Sequence, residues 1–304
     1  MKRIIICFSF MLGAFQLYAQ QDPMYGQYIF NNAIINPAQA GVNEVNQVGI
    51  LSRAQWLGID GAPVTNSIFI NAKLPKNLGF AGGIYSDRVG PVKDLTFQAD
   101  LSARVQLNDK WTFSGGIRTM ASNLSVNLTN LQTNQTGDPN FNTNFTSGTY
   151  FNMGAGVLFY SDKFFVGASL PRLFSKEIGD GKTVISKYQN HIYLYGGANI
   201  KLNEDFTFTP SILFKSVADA PVQYDLNFIF DYKDIIDAGP MIRARDAIGF
   251  LVGYKISSKI YAGYMYEYPL NDLHLVTKQT HELSLRFLWQ TKIKARIKSP
   301  RYFL

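Results

Sequence analysis

Acidic and basic side chains recur at alternate positions along the extended stretches of this 304-residue chain. Two carboxyl groups held close together could act as general acid and general base, whereas a carboxylate beside a lysine or an arginine forms an ion pair. Because both signs occur along the same faces, we expect a salt-bridged, hydrated wall and no catalytic pair. The members of this set are Asp100, Arg104, Arg118, Lys215, Asp225, Asp231, Arg243, Arg245, Lys255, Glu267, Glu282 and Arg286.

The three histidines offer no catalytic arrangement either. His191 and His281 lie in extended stretches and His274 lies in a connection, and none of them has a serine and an acid placed to form a triad. The HExxH, P-loop and dinucleotide-binding motifs are also missing from the sequence. The only cysteine, Cys7, lies in the N-terminal leader, so we expect no thiol chemistry in the mature chain. The sequence therefore predicts no enzymatic activity and no cofactor.

β-Strands are the elements that must position the charged side chains. Residues 95–107 alternate apolar and polar side chains without a break, and residues 222–232 repeat the pattern with Ile229 as the one exception. Strands in soluble proteins are usually about five or six residues long, whereas outer-membrane strands need about nine to eleven. The pattern therefore predicts strands with one face toward lipid and the other toward a polar interior.

Fourteen segments of this kind indicate an all-β protein, a transmembrane antiparallel up-and-down β-barrel of about 14 strands. Short polar turns follow the even-numbered segments from the second to the twelfth, and most long connections follow odd-numbered ones. Outer-membrane barrels have short periplasmic turns and long outer loops, so we expect both termini in the periplasm. The segments are 45–54, 64–74, 78–86, 94–107, 111–121, 149–160, 164–171, 188–202, 206–216, 221–232, 236–245, 247–256, 259–268 and 279–290.

The connections and the tryptophans add to this topology. The long connections are expected at 55–63, 87–93, 122–148, 172–187 and 269–278. Trp56, Trp111 and Trp289 flank strand ends, as expected for a girdle at the membrane boundary, although tryptophans also flank turns in other β proteins. Loop 122–148 is rich in Asn and Thr. We interpret it as a solvated loop, with a calcium site around 134–144 as the alternative.

The chain divides into four parts. Residues 1–19 have the basic start, the apolar run and the small residue (Ala19) of a cleaved signal peptide. We expect residues 45–290 to form the barrel and residues 291–304 to form a basic periplasmic tail. Between leader and barrel, residues 20–44 contain two prolines and do not alternate. Eight strands enclose a lumen that side chains fill and sixteen leave a channel. Residues 20–44 are therefore interpreted as a plug-like segment of the lumen, with a disordered periplasmic leader as the alternative.

The net charge of +7 does not indicate nucleic-acid binding. Two of the 29 basic residues lie in the leader and five lie in the last fifteen residues, so that the 22 that remain equal the 22 acidic residues. The tail could dock an acidic partner or the inner membrane surface, and a solvated tail is the alternative. The docking candidates are Lys292, Lys294, Arg296, Lys298 and Arg301.

Two motifs near the N-terminus resemble those of the PorP/SprF family of Bacteroidota outer-membrane proteins. Residues 22–41 contain DPMYGQYIFN and NPAQAG, and residues 53–65 read RAQWLGIDGAPVT. The family usually has an aromatic residue where Gln39 stands and commonly a proline at Asp60. The resemblance extends to about Trp289. Its signature positions are Asp22, Pro23, Tyr25, Tyr28, Asn31, Asn36, Pro37, Gly41, Arg53, Gln55, Trp56, Gly58, Gly61 and Pro63.

The resemblance implies a cell outer-membrane barrel of the type IX secretion and gliding machinery. Such a protein would assist secretion or surface anchoring of a large cell-surface adhesin that carries a type IX C-terminal domain. The implied partners are outer-membrane lipid, this adhesin, and secretion components in the periplasm and the outer membrane. The resemblance implies no enzymatic activity and assigns no role to single residues. A general diffusion porin is the alternative function.

Overall fold

The computed structural model describes residues 25–43, 45–129, 144–179, 184–218, 220–277 and 279–290, with backbone alone for residues 179 and 184–187. The predicted signal peptide, Asp22, Pro23, the five basic tail residues and, except for Asn144, the alternative calcium site around 134–144 lie outside the described residues. No helix among the described residues has the length and hydropathy that crossing a membrane requires.

The strands of the described chain are numbered in sequence order. They are β1 (Asn46–Ala54), β2 (Val64–Lys73), β3 (Leu78–Val89), β4 (Val92–Gln106), β5 (Thr112–Val126), β6 (Phe145–Thr146), β7 (Tyr150–Tyr160), β8 (Phe164–Leu170), β9 (Lys176–Gly179), β10 (Val184–Tyr188), β11 (His191–Ala198), β12 (Ile200–Lys201), β13 (Phe206–Val217), β14 (Gln223–Tyr232), β15 (Ile236–Arg243), β16 (Ala247–Ser257), β17 (Ile260–Pro269) and β18 (Thr280–Trp289).

Fourteen strands close into an antiparallel barrel, which confirms the predicted fold class. Each long strand pairs with the next long strand along the chain, and β1 pairs with β18 to complete the ring, with Asn46 opposite Trp289. The short strand β12 continues β11, β6 pairs with the end of β5, and β9 and β10 form a separate hairpin. The placement of both termini in the periplasm stays a prediction.

The barrel wall is apolar outside and polar inside. Along β4, Phe97 and Leu101 are 49% and 52% exposed, whereas Asp100 between them is fully buried. Because successive side chains of a strand point to opposite faces, the unbroken alternation places the apolar residues from Leu95 to Val105 outward. This inversion of the usual soluble arrangement is what a lipid environment requires.

The two ends of the barrel differ in their connections. The connections 55–63 and 270–279 lie at one end, here called the long-loop end, and turns such as 161–163 and 258–259 lie at the opposite, short-turn end. The predicted long connection 87–93 is wrong, because β3 and β4 extend until only Gly90 and Pro91 join them. Gly90 has a φ of 55°, which glycine adopts without strain and which allows this tight turn.

One of the expected wall charges lies elsewhere. Arg245 is exposed in the turn between β15 and β16 with a φ of 60°, so its predicted place in the lumen is wrong. The alternation that places Arg243 inward ends with the strand, since a turn does not keep the side-chain period of two.

Candidate functional site

Residues 25–43 lie inside the barrel and form three short 3₁₀ helices. These are η1 (Gly26–Phe30), η2 (Asn32–Ile34) and η3 (Pro37–Gln39). The Asn36 side chain accepts the Ala38 N–H at 2.8 Å, so it caps η3, and Pro37 occupies the first turn, where no backbone N–H is needed. The local sequence thus explains the compact path of this segment, which we call the lumen segment.

Serine hydroxyls of the barrel wall bind the backbone of the lumen segment. Ser102 donates to the carbonyl of Ala40 at 2.6 Å, and Ser114 donates to the carbonyl of Ala38 at 2.7 Å. On another side of the barrel, Ser169 donates to the carbonyl of Ile35. These are buried carbonyls that would cost free energy if they stayed unpaired. The polar inner face of the wall therefore replaces the hydrogen bonds that water would supply.

Arginines of the wall bind further carbonyls of the same segment. Arg118 forms a two-pronged ion pair with Asp100, at 2.8 Å for both contacts, and its guanidinium also donates to the carbonyls of Ile34 (2.9 Å) and Ala33. Arg104 donates to the carbonyl of Gly41. A planar guanidinium has five donors in fixed directions, so one side chain can hold a carboxylate and two carbonyls at once.

Side chains of the lumen segment are recognised individually. Asn36 and Gln39 both donate to the hydroxyl of Tyr195, at 3.1 and 2.7 Å. Asn227 donates to the hydroxyl of Tyr28 at 2.7 Å. Burial raises the pKa of the Tyr28 hydroxyl, and the nearby Asp225 carboxylate raises it further, so Tyr28 stays neutral in the lumen. These hydrogen bonds depend on the side chains of the lumen segment, whereas hydrogen bonds to its backbone carbonyls do not.

Two glycines of the wall allow backbone to approach backbone. A Cβ atom at Gly116 would lie 2.4 Å from the nitrogen of Ala38, and one at Gly79 would lie 1.9 Å from the carbonyl oxygen of Ala40. Gly41 adopts a φ of 62° where it passes Gly79. Larger residues at these places would displace the lumen segment from the wall.

Six buried charges form a chain of ion pairs across the inner wall. From one end to the other they alternate in sign, so three carboxylates meet three cations. The order is Glu282, Arg53, Glu267, Arg243, Asp225 and Lys215, with N···O distances of 2.6 Å for Arg53–Glu267, 3.3 Å for Arg243–Glu267, 3.3 Å for Arg243–Asp225 and 3.0 Å for Lys215–Asp225. Each carboxylate in this network contacts a cation. The arrangement therefore suits a structural role, as the sequence predicted, better than proton transfer.

Glu282 joins the two N-terminal motifs. Its carboxylate contacts the guanidinium of Arg53 and accepts the backbone N–H groups of Gly26 and, at 3.0 Å, of Gln27. Gly26 and Gln27 of the first motif and Arg53 of the second are thus held by one side chain from the last strand of the barrel.

The structure divides the signature positions between two places. The lumen holds the following as buried residues: Tyr25, Tyr28, Asn31, Asn36, Pro37, Gly41 and Arg53. The remaining described positions lie in loop 55–63 at the long-loop end: Gln55, Trp56, Gly58, Gly61 and Pro63.

Loop 55–63 is shaped by its own backbone bonds. The Gln55 N–H donates to the carbonyl of Pro63 at 3.0 Å, and the Gly90 N–H donates to that of Gly61 at 2.8 Å. Trp56, Gly58 and Gly61 have φ values of 49°, 97° and 74°. Glycine adopts such left-handed conformations without strain, which suits Gly58 and Gly61 to their places in this loop.

Charge patterns and motifs in the sequence did not indicate the hydrogen-bonding residues of the wall. Ser102, Ser114, Ser169, Tyr195 and Asn227 contact the lumen segment, and their one sequence signal is a place on the polar face of a strand. Among the described residues, no group of three or more His, Cys, Asp or Glu side chains could hold a metal ion.

Comparison with known proteins agrees with this architecture. A family model described as type IX secretion system membrane protein PorP/SprF matches residues 17–287. No curated protein matches the chain in sequence. The toluene transporter TbuX of Ralstonia pickettii is similar in structure, with a TM-score of 0.52 and 10% identity, over 85% of this chain and 93% of that one. The TodX deltaS2S3 mutant, a monoaromatic hydrocarbon channel, has a TM-score of 0.50 and 11% identity, over 86% and 94%. These distant likenesses show the fold alone.

Proposed function

The chain belongs to the family of type IX secretion system membrane proteins PorP/SprF, and from this premise we propose that it assists secretion or surface anchoring of a large cell-surface adhesin. The family and the fold together show that the protein is an outer-membrane β-barrel of the type IX secretion system. Its family is one of membrane components of a secretion system and not a family of enzymes.

The main support for the proposal is that the lumen segment is buried inside the barrel and hydrogen-bonded to its wall. Tyr25, Tyr28 and Ile35 are 2%, 3% and 1% exposed within the barrel, and carbonyls of this segment receive donors from several strands of the wall. We propose that the segment closes the lumen. A barrel closed by its own chain would conduct few solutes, so a role in holding a partner is favoured over a role in diffusion.

A diffusion channel is the second candidate function. Fourteen strands enclose a lumen between the side-chain-filled barrels of eight strands and the open channels of sixteen, so departure of the lumen segment would open a path. The matching solved structures include a toluene transporter, but at 10% identity this gives no reason to assign transport here.

Two measurements separate the candidates. A tagged version of the protein, purified from detergent-solubilised outer membranes, should carry along a large secreted adhesin, whereas a tagged unrelated outer-membrane barrel should not. In planar bilayers the intact protein should show no steady conductance. Two results together would overturn the proposal in favour of a channel. They are a wide, steady conductance of the intact protein and normal adhesin display in a strain that lacks the protein.

A further inference from the structure

Two basic side chains stand out on the lipid-facing surface of the barrel. Along the described barrel strands, Arg88 and Lys93 are the two lysine or arginine side chains in outward-facing rows, and no aspartate or glutamate lies in those rows. They are direct partners across β3 and β4 and both are exposed. Like charges directly opposite each other destabilise a strand pair, so an anion between them would relieve a repulsion that the wall itself leaves in place.

The position of the pair coincides with a change in the polarity of the wall. Three successive outward rows cross β3, β4 and β5, and they become more polar toward the long-loop end. In that order the rows are Ile84–Phe97–Ala121, Ser86–Leu95–Asn123 and Arg88–Lys93–Ser125. We call Ser86–Leu95–Asn123 the mixed row and Arg88–Lys93–Ser125 the basic row. The basic row lies two residues beyond the mixed row along each strand.

Simple geometry places the basic row among lipid headgroups. Two residues of a strand span about 7 Å, which corresponds to about 5 Å in height for strands tilted about 45°. The headgroup layer on each side of the hydrocarbon is about 5–7 Å thick. If the hydrocarbon ends at the mixed row, then Arg88 and Lys93 lie at the depth of lipid phosphates.

A recess of about 630 Å³ surrounds the two basic groups. Gly61, Gly90 and Pro91 shape it, and the Gly90–Gly61 hydrogen bond closes loop 55–63 against the β3–β4 turn. Asp60, Ser125 and Asn127 complete the lining and offer donors and acceptors that suit sugar hydroxyls. None of the described side chains forms an ion pair with Arg88 or Lys93.

An apolar groove of about 440 Å³ lies beside this recess on the same outer wall. Ile50, Ile68, Ile84, Leu283 and Leu285 line it. A polar edge faces the long-loop end, where the Ser52 hydroxyl donates to the Asn66 side chain at 2.8 Å. A cationic recess next to an apolar groove matches a molecule that has a phosphorylated head and acyl chains.

We propose that this surface is a binding site for a phosphate-bearing glycolipid of the outer leaflet. Arg88 and Lys93 bind the phosphate group, Asp60, Ser125 and Asn127 bind sugar hydroxyls, and the groove receives an acyl chain. The glycolipid is favoured over a glycerophospholipid because the recess adds hydrogen-bonding side chains to its two cations, and because long loops of outer-membrane barrels face the cell surface. The site is separate from the lumen segment and does not depend on the adhesin role.

The test measures lipid binding to the purified full chain in detergent by native mass spectrometry. The probes are diphosphorylated lipid A, the same lipid after removal of its phosphates, and phosphatidylglycerol. The wild-type protein should bind the phosphorylated glycolipid in a saturable way. R88Q/K93Q should bind it about thirtyfold more weakly, since each basic side chain near a membrane surface contributes about fivefold.

The control K163Q/K259Q removes two exposed lysines at the short-turn end and should bind like wild type. Both double variants change exposed side chains, and their folding is checked by the faster gel migration of the unheated barrel. Equal binding by R88Q/K93Q and wild type, or by phosphorylated and dephosphorylated glycolipid, would overturn the site. Equal binding of phosphatidylglycerol would overturn its assignment to a glycolipid.

Discussion

Arg53 on β1 and Glu282 on β18 form a buried ion pair across the seam that closes the barrel. The same carboxylate accepts the backbone N–H of Gln27 at 3.0 Å. One side chain of the last strand therefore holds both the first strand and the lumen segment, and closure of the ring and placement of this segment depend on each other.

We expect Glu282→Gln to destabilise the protein by about 3–5 kcal/mol, because loss of one partner leaves buried charge on Arg53 without its full compensation. Urea unfolding in detergent, followed by the gel migration of unheated samples, measures the change. The control Asp205→Asn breaks the exposed Lys233–Asp205 pair of 3.3 Å and should change stability by less than about 1 kcal/mol. Equal effects of the two changes would contradict the importance of the buried pair.

We expect Gly116→Val to push the lumen segment off the wall, because a Cβ atom there would lie 2.4 Å from the nitrogen of Ala38. Overpacking of this kind costs about 1–3 kcal/mol. Cleavage within residues 25–43 by added protease should become faster, and bilayer conductance should rise. Gly115→Val is the matched control, since its Cβ points outward and meets nothing closer than 3.7 Å. A lumen segment that stays protected in Gly116→Val would argue against this close contact.

We expect the stability of the barrel to fall as the pH rises above about 10, in part through Tyr28. Burial raises the pKa of this hydroxyl above its ordinary value, so the unfolded chain loses the proton first. The stabilising contribution is complete below the unfolded pKa and is lost as the pH rises toward the folded one. Tyr28→Phe should reduce the slope of unfolding free energy against pH by up to about 1.4 kcal/mol per pH unit. An unchanged slope between pH 10 and 12 would show that Tyr28 ionises normally.

We expect the basic tail to contribute to secretion by docking an acidic partner. Replacement of Lys292, Lys294, Arg296, Lys298 and Arg301 by glutamine should lower surface display of the adhesin, since charge attraction would be lost without shortening the chain. Display is measured by antibody labelling of intact cells. Replacement by the opposite basic type, Lys by Arg and Arg by Lys, is the control and should keep display. Normal display in the glutamine variant would dismiss docking.

Local patterns in the sequence determined the architecture of the barrel. A strand has a side-chain period of two, so the alternation around Phe97 and Asp100 predicts which face of the strand contacts lipid. Fourteen strands follow from repeats of that pattern, and all of them occur in the structure. The side-chain period of two holds only within a strand. It therefore predicted the wrong position for Arg245, where the strand has ended and a turn begins.

The polar side chains that meet inside the barrel are brought together by the three-dimensional fold. Glu282 and Gln27 are far apart in the chain and come together because β18 closes on β1 and because the lumen segment passes beside that seam. The outward pairing of Arg88 with Lys93 likewise depends on the register of β3 against β4. Residue spacing carries no information about such contacts, since ring closure and strand register are set by the packing of the whole barrel.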